Sequence, residues 1–144
     1  MNILFLCTGN SARSILGEVI FNDLFTDHGH AYSAGSRPAG YVHPVTLMVL
    51  GNHGHKTQGL CSKGIDVFTG KDAPAINLVI SVCDNAAQDC PVWAGTGNPR
   101  RLHWSLPDPA AVITGPEKIA VFEKTYNELK ERIASLVEIG RAHV

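Results

Sequence analysis

Short apolar runs alternate along this chain with stretches of helical periodicity, and that alternation narrows the fold more than any other feature. Ile3 to Cys7 is an apolar run bounded by polar residues, the pattern of a buried strand. From Arg13, apolar Ile15, Leu16, Val19, Ile20 and Leu24 fall at helical spacing, ending near His28-Gly29. Ala31-Tyr32-Ser33-Ala34 reads as a weaker strand stopped by Gly35, and a helix is expected between Pro44 and Gly51. The region 52–74 is rich in Gly, His and Lys and reads as a loop with a short helical turn. Asn77 to Cys83 is the clearest buried strand, and Arg101 to Trp104 is a shorter one. From Pro116 to Ile139, apolar Ile119, Phe122, Tyr126, Leu129, Ile133 and Leu136 recur every three or four residues, predicting a long amphipathic helix. Strands alternating with helices predict a three-layer α/β sandwich around a small, mainly parallel sheet. In such sheets ligands bind beyond the carboxyl ends of the strands, where the strand order reverses. Cys7 and Cys83 both end predicted strands, which places two sulfurs on one edge.

The 144 residues suit one catalytic domain, 1–144, with a self-sufficient core. Twelve Lys and Arg against thirteen Asp and Glu leave a formal charge of −1, so neither nucleic acid nor a membrane surface is an expected partner. No signal peptide pattern and no apolar run near the roughly 20 residues of a membrane span is visible, and the expected compartment is the cytoplasm. There the four cysteines, Cys7, Cys61, Cys83 and Cys90, are expected to be reduced at rest and to serve catalysis or metal binding before structural disulfides. A monomer is the simplest expectation.

The stretch Cys7-Thr8-Gly9-Asn10-Ser11-Ala12-Arg13-Ser14 joins the first strand to the first helix. A compact loop here aims successive backbone N–H groups into one concavity, and the helix N-terminus adds unpaired donors and partial positive charge. Gly9 permits positive φ and Asn10 tolerates it. Arg13 supplies a planar fork of donors for two oxygens of an anion, and the same field favours the thiolate form of Cys7. Ser14 is placed to donate its hydroxyl hydrogen to that sulfur. A lone cysteine at a strand end is more often a buried apolar residue; the complete strand–Cys–five residues–Arg–Ser–helix pattern favours an oxyanion site. Cys83 and Cys90 read as a redox pair, as inert core cysteines, or as half of a zinc site whose spacing is wider than usual.

The loop resembles the active-site loop of low-molecular-weight protein tyrosine phosphatases and of arsenate reductases that share their fold. Ser33-Ala34-Gly35, Ser62-Lys63 and Asp108-Pro109 extend the likeness over nearly the whole chain. The resemblance implies a sheet of about four strands and makes Asp108 the general acid that protonates the leaving oxygen when Cys7 attacks. Cys83 to Pro91, with His103-Trp104 and Asp108-Pro109-Ala110 behind it, is similar to the arsenate reductase branch and its three-thiol relay. On that likeness Cys7 attacks arsenate, Cys83 attacks Cys7, and Cys90 attacks Cys83, each step a thiolate displacement. Cys90 must then lie near Cys83 or move to it, so a flexible segment is expected at about 84–100. No tightly bound cofactor is implied; an external dithiol, thioredoxin or glutathione with glutaredoxin, would supply electrons. Phosphate or sulfate would mimic arsenate. Ala110 stands where phosphotyrosine phosphatases of this fold usually carry an aromatic residue, which suits a small inorganic anion. The alternative is a phosphatase that hydrolyses phosphate monoesters through a Cys7 phosphoenzyme; a third reading is a non-catalytic anion-binding or thiol-sensing module.

Some thiol-relay reductases hold a potassium ion beside the loop through groups at the positions of Asn10, Glu18 and Ser33. Lys63 stands where some of them carry an assisting aspartate, and its ammonium is expected to replace the ion; no metal is expected. The seven histidines show no tight ligand pattern, and His53-Gly54-His55 reads as a solvated turn. Trp93 and Trp104 read as packing residues, and Cys61 as incidental.

Overall fold

A computed structural model describes residues 1–70, 72–83, 97–111 and 115–142. Four strands form the sheet: β1 (Asn2–Cys7), β2 (His30–Gly35), β3 (Leu78–Ser81) and β4 (Arg100–His103). Their order is β2-β1-β3-β4 and every pair is parallel. The helices are α1 (Arg13–Leu24), α2 (Pro44–Asn52) and α3 (Gly115–Ala142). Short 3-10 turns lie at Thr26–His28, Ile65–Phe68 and Pro109–Ala111. The expected elements are present, with the third strand ending at Ser81, two residues before Cys83.

Pleating along β1 sorts its side chains between two cores. Ile3, Phe5 and Cys7 join Leu78, Ile80 and Val82 beneath the helices, against Ile15, Leu16, Phe122, Tyr126, Leu129 and Ile133. Leu4 and Leu6 face the other way, with Ala34, Val79, Phe68 and Ile76. Burial every third or fourth residue along α3 is the apolar stripe its sequence predicts. Gly17 lets α1 lie close on β1: a Cβ there would come within 2.9 Å of the Phe5 ring.

The strand order reverses between β1 and β3, which run side by side from Ile3↔Leu78 to Leu6↔Ser81. Val82 N–H continues the ladder to Leu6 carbonyl oxygen at 2.8 Å. The chain therefore delivers Cys7 and Cys83 to one edge at the switch point, where an open α/β sheet binds its ligands. The register ends at Leu6↔Ser81, so Cys7 follows the last matched pair by one residue and Cys83 by two.

Candidate active site

The loop after β1 has the shape an anion cradle requires, and the cause lies in its carbonyl groups. The carbonyl oxygens of Cys7, Thr8, Gly9 and Ser11 accept bonds from the N–H groups of Ser36, Arg37, Ala39 and His43 at 3.2, 2.9, 2.9 and 3.0 Å. Ser62 Oγ adds a bond to Gly9 oxygen at 3.1 Å, and Thr46 Oγ1 one to Ser11 oxygen at 2.8 Å. Every peptide among the described residues is trans, so each N–H of the loop points opposite to the carbonyl before it. Drawing these carbonyls outward turns the N–H groups of Thr8, Gly9, Asn10 and Ala12 inward. Asn10 has φ of 46°, the turn its side chain tolerates. The first turn of α1 has no side-chain cap at Ala12, which leaves its unpaired donors to the loop.

Cys7 Sγ sits at the floor, 2% exposed. It receives the Asn10 N–H at 3.1 Å and lies 2.8 Å from Ser14 Oγ. Asn10 Nδ2 donates to Ser14 Oγ at 2.8 Å, so the serine hydrogen is free to point at the sulfur. Both contacts bring a hydrogen-bond donor to Sγ. Arg13 is buried, and its Nη1 donates to the carbonyl oxygens of Leu106 at 3.0 Å and Val82 at 3.4 Å. Its Nη2 lies 4.0 Å from Asp108 Oδ2. The Asp108 side chain is half exposed at the mouth and accepts from Ala110 N–H at 3.0 Å. Thus Cys7, Arg13, Ser14 and Asp108, chosen from sequence, converge on one site.

Cys83 is fully buried beyond the end of β3 and is disulfide-bonded, whereas Cys7 and exposed Cys61 are free. Cys90, Trp93 and most of the segment expected to be flexible lie outside the described residues.

Behind the loop, Lys63 Nζ lies 3.7 Å from Glu18 Oε1, 3.4 Å from Ser33 Oγ and 3.1 Å from the Cys61 carbonyl oxygen. Ser33 Oγ donates to Glu18 Oε1 at 3.3 Å. Burial pushes the Glu18 carboxyl above the ordinary value of 4.5, against the pull of Lys63, Ser33 and His30. The ammonium lies against the Glu18 and Ser33 oxygens, and Asn10 Oδ1 accepts the Lys63 main-chain N–H at 2.8 Å, so these three groups are already engaged and do not fit a bound potassium ion.

Two features escaped the sequence. The first is the strap from Ser36 to Thr46 that takes the loop's carbonyls; a loop with inward amides requires outside donors, which is the signal that would have found it. The second corrects an expectation. His53 and Gly54 are exposed in a turn after α2, as expected, but His55 is not solvated: it is 9% exposed, and its ring bridges Asp23 Oδ2 at 2.7 Å and Tyr126 Oη at 2.6 Å. His53 stacks on Tyr126 with centroids 3.9 Å apart and meets Glu123 Oε2 at 2.7 Å. Burial of the His55 ring is possible because α1 and α3 supply its partners. Trp104 packs on Phe5, centroids 6.2 Å apart.

A sulfur held in a trap of main-chain donors, with a guanidinium and a carboxyl at the rim, characterises enzymes that take the central atom of an oxyanion onto cysteine. The chain belongs to the low molecular weight phosphotyrosine protein phosphatase family, whose pattern matches residues 2–143. Among curated relatives it is 36% identical over 140 residues to an arsenate reductase of Halalkalibacterium halodurans, covering 96% of each chain. It is 33% identical over 140 residues to an arsenate reductase of Bacillus subtilis, again covering 96% of each. Among solved structures, an arsenate reductase in a phosphate-binding state aligns with a TM-score of 0.76 at 25% identity, covering 95% of this chain and 96% of that one. No helix among the described residues is long and apolar enough to cross a membrane.

Proposed function

We propose that this chain reduces arsenate to arsenite through Cys7, Cys83 and Cys90. The observation that carries the reading is the second sulfur: β3, paired with the strand that ends in Cys7, leads directly to an oxidised Cys83. Ester hydrolysis needs one cysteine, an arginine and an acid; a reductase must also receive two electrons. The arsenate reductase relatives point the same way.

In the first step Cys7 thiolate attacks arsenic, and Asp108 gives its proton to the departing oxygen, which leaves as water. Loop amides and Arg13 hold the remaining oxygens. Cys83 thiolate then attacks Cys7 Sγ. The sulfur–arsenic bond breaks with its electron pair on arsenic, arsenite departs, and a Cys7–Cys83 disulfide remains. Cys90 thiolate attacks Cys83, which frees Cys7 thiolate and leaves Cys83 and Cys90 joined. An external dithiol of the thioredoxin or glutaredoxin type returns that pair to thiols. A free Cys7 beside an oxidised Cys83 supports this order.

The test is arsenate-dependent NADPH oxidation with thioredoxin and its reductase, repeated with glutathione and glutaredoxin. Arsenite is expected to accumulate with one donor system. Cys83→Ser should abolish turnover while leaving phosphate binding at Cys7 intact. Absence of arsenite with both systems overturns the proposal, and undiminished ester hydrolysis by Cys83→Ser in that case would favour the phosphatase.

A further inference from the structure

We infer that Lys63 is a positioning residue: its ammonium is the resident counter-cation of the buried Glu18 carboxylate, and its backbone sets the turn that aims Asn10 at Cys7. The Lys63 and Glu18 side chains are only 19% and 13% exposed. A carboxylate this far from water stays ionised only beside positive charge. The ammonium supplies that charge and also satisfies Ser33 Oγ and the Cys61 carbonyl oxygen, at 3.4 and 3.1 Å.

The backbone completes the link to the chemistry. Lys63 N–H donates to Asn10 Oδ1 at 2.8 Å. Its carbonyl oxygen accepts from Gly35 N–H at 2.9 Å. The fixed amide of Asn10 then donates to Ser14 Oγ, and its main-chain N–H donates to Cys7 Sγ. Glu18, on α1, and Ser33, on β2, thus grip Lys63 from two elements and hold the segment that orients the loop. A displaced Lys63 would release Asn10 from its left-handed turn and withdraw one donor from the sulfur.

The inference rests on reading the loop as the oxyanion site and is independent of arsenate reduction, so both readouts avoid that reaction. Phosphate affinity is measured as protection of Cys7 from iodoacetamide, and the unprotected alkylation rate of the Cys7 peptide is followed by mass spectrometry. Both are measured in choline chloride and in potassium chloride at equal ionic strength. Wild type is expected to respond equally to the two salts. Lys63→Met should lose about tenfold in phosphate affinity and alkylation rate in choline chloride, the cost of misplacing a binding group. Potassium should restore most of that loss, and should restore none in Lys63→Met/Glu18→Gln, which lacks the carboxylate. A potassium response by wild type overturns the inference. So does a Lys63→Met variant that melts lower but binds phosphate and alkylates like wild type, or an impaired one that potassium fails to rescue. Should Lys63→Met not fold, Lys63→Arg keeps the charge; it is expected to bind phosphate within about threefold of wild type, and a tenfold loss overturns the inference.

Discussion

Nη1 of Arg13 donates to the carbonyl oxygen of Val82 across 3.4 Å, so the guanidinium of the oxyanion loop is anchored one residue before Cys83. The same nitrogen holds Leu106, two residues before Asp108. One side chain therefore ties together the three segments that carry Cys7, Cys83 and Asp108.

Arg13→Lys keeps the charge but loses the planar fork and cannot serve both carbonyls and an anion. Phosphate affinity should fall by about 100-fold, a loss of the size seen when a transition-state donor is removed. Isothermal titration with phosphate checks this, and an unchanged melting temperature would place the loss in the site and not in the fold.

His43 predicts a pH dependence. Its Nδ1 accepts the Val45 N–H at 3.1 Å and caps α2, and its ring packs on Phe122 with centroids 5.0 Å apart. A protonated imidazole has no acceptor for that bond. Burial chiefly, then Lys118, lowers the His43 pKa from 6.5, and Asp108 opposes them. The folded state thus binds this proton less tightly than the unfolded chain. The cap's stability is complete above pH 6.5 and is lost as pH falls through the lowered folded value. His43→Asn caps without titrating. The melting temperature of wild type relative to His43→Asn should stay level above pH 6.5 and decline below it.

Tyr126→Phe leaves the His55 ring without its 2.6 Å partner in a buried place. The expected cost is about 1–2 kcal/mol, or about 4 °C in melting temperature, measured by calorimetry. Phosphate affinity should not change, because this cluster joins α1, α2 and α3 and makes no bond to the loop.

Gly35 faces the back of the loop. A Cβ there would stand 2.5 Å from the Thr8 carbonyl oxygen and 2.9 Å from Asn10 N, both backbone atoms. Gly35→Ala should destabilise the fold by about 1–3 kcal/mol and weaken phosphate binding at least tenfold. Thermal unfolding and phosphate titration measure the two effects.

The strands, the helices and the Cys7-to-Ser14 loop were legible because each is written in consecutive residues: period two, period 3.6, and a turn chemistry at Asn10, whereas Gly9 does not use the positive φ it permits. The remaining features depend on distant partners. The pairing of β1 with β3 is a choice of topology that local pattern does not encode. His55 looks like a polar turn until Asp23 and Tyr126, 32 and 71 residues away, close on it. The strap at Ser36 to Thr46 carries no motif of its own; it matters only because four carbonyls elsewhere need donors.

Those four carbonyls have a consequence for how such a chain can diverge. Their bonds come mostly from main-chain N–H groups, so the trap's outline depends little on which side chains decorate Thr8 or Ala12. Variation at those positions, or in the thiols that follow β3, leaves the trap standing. New chemistry can be fitted to the neighbouring strand while the grip on a tetrahedral anion passes down unaltered.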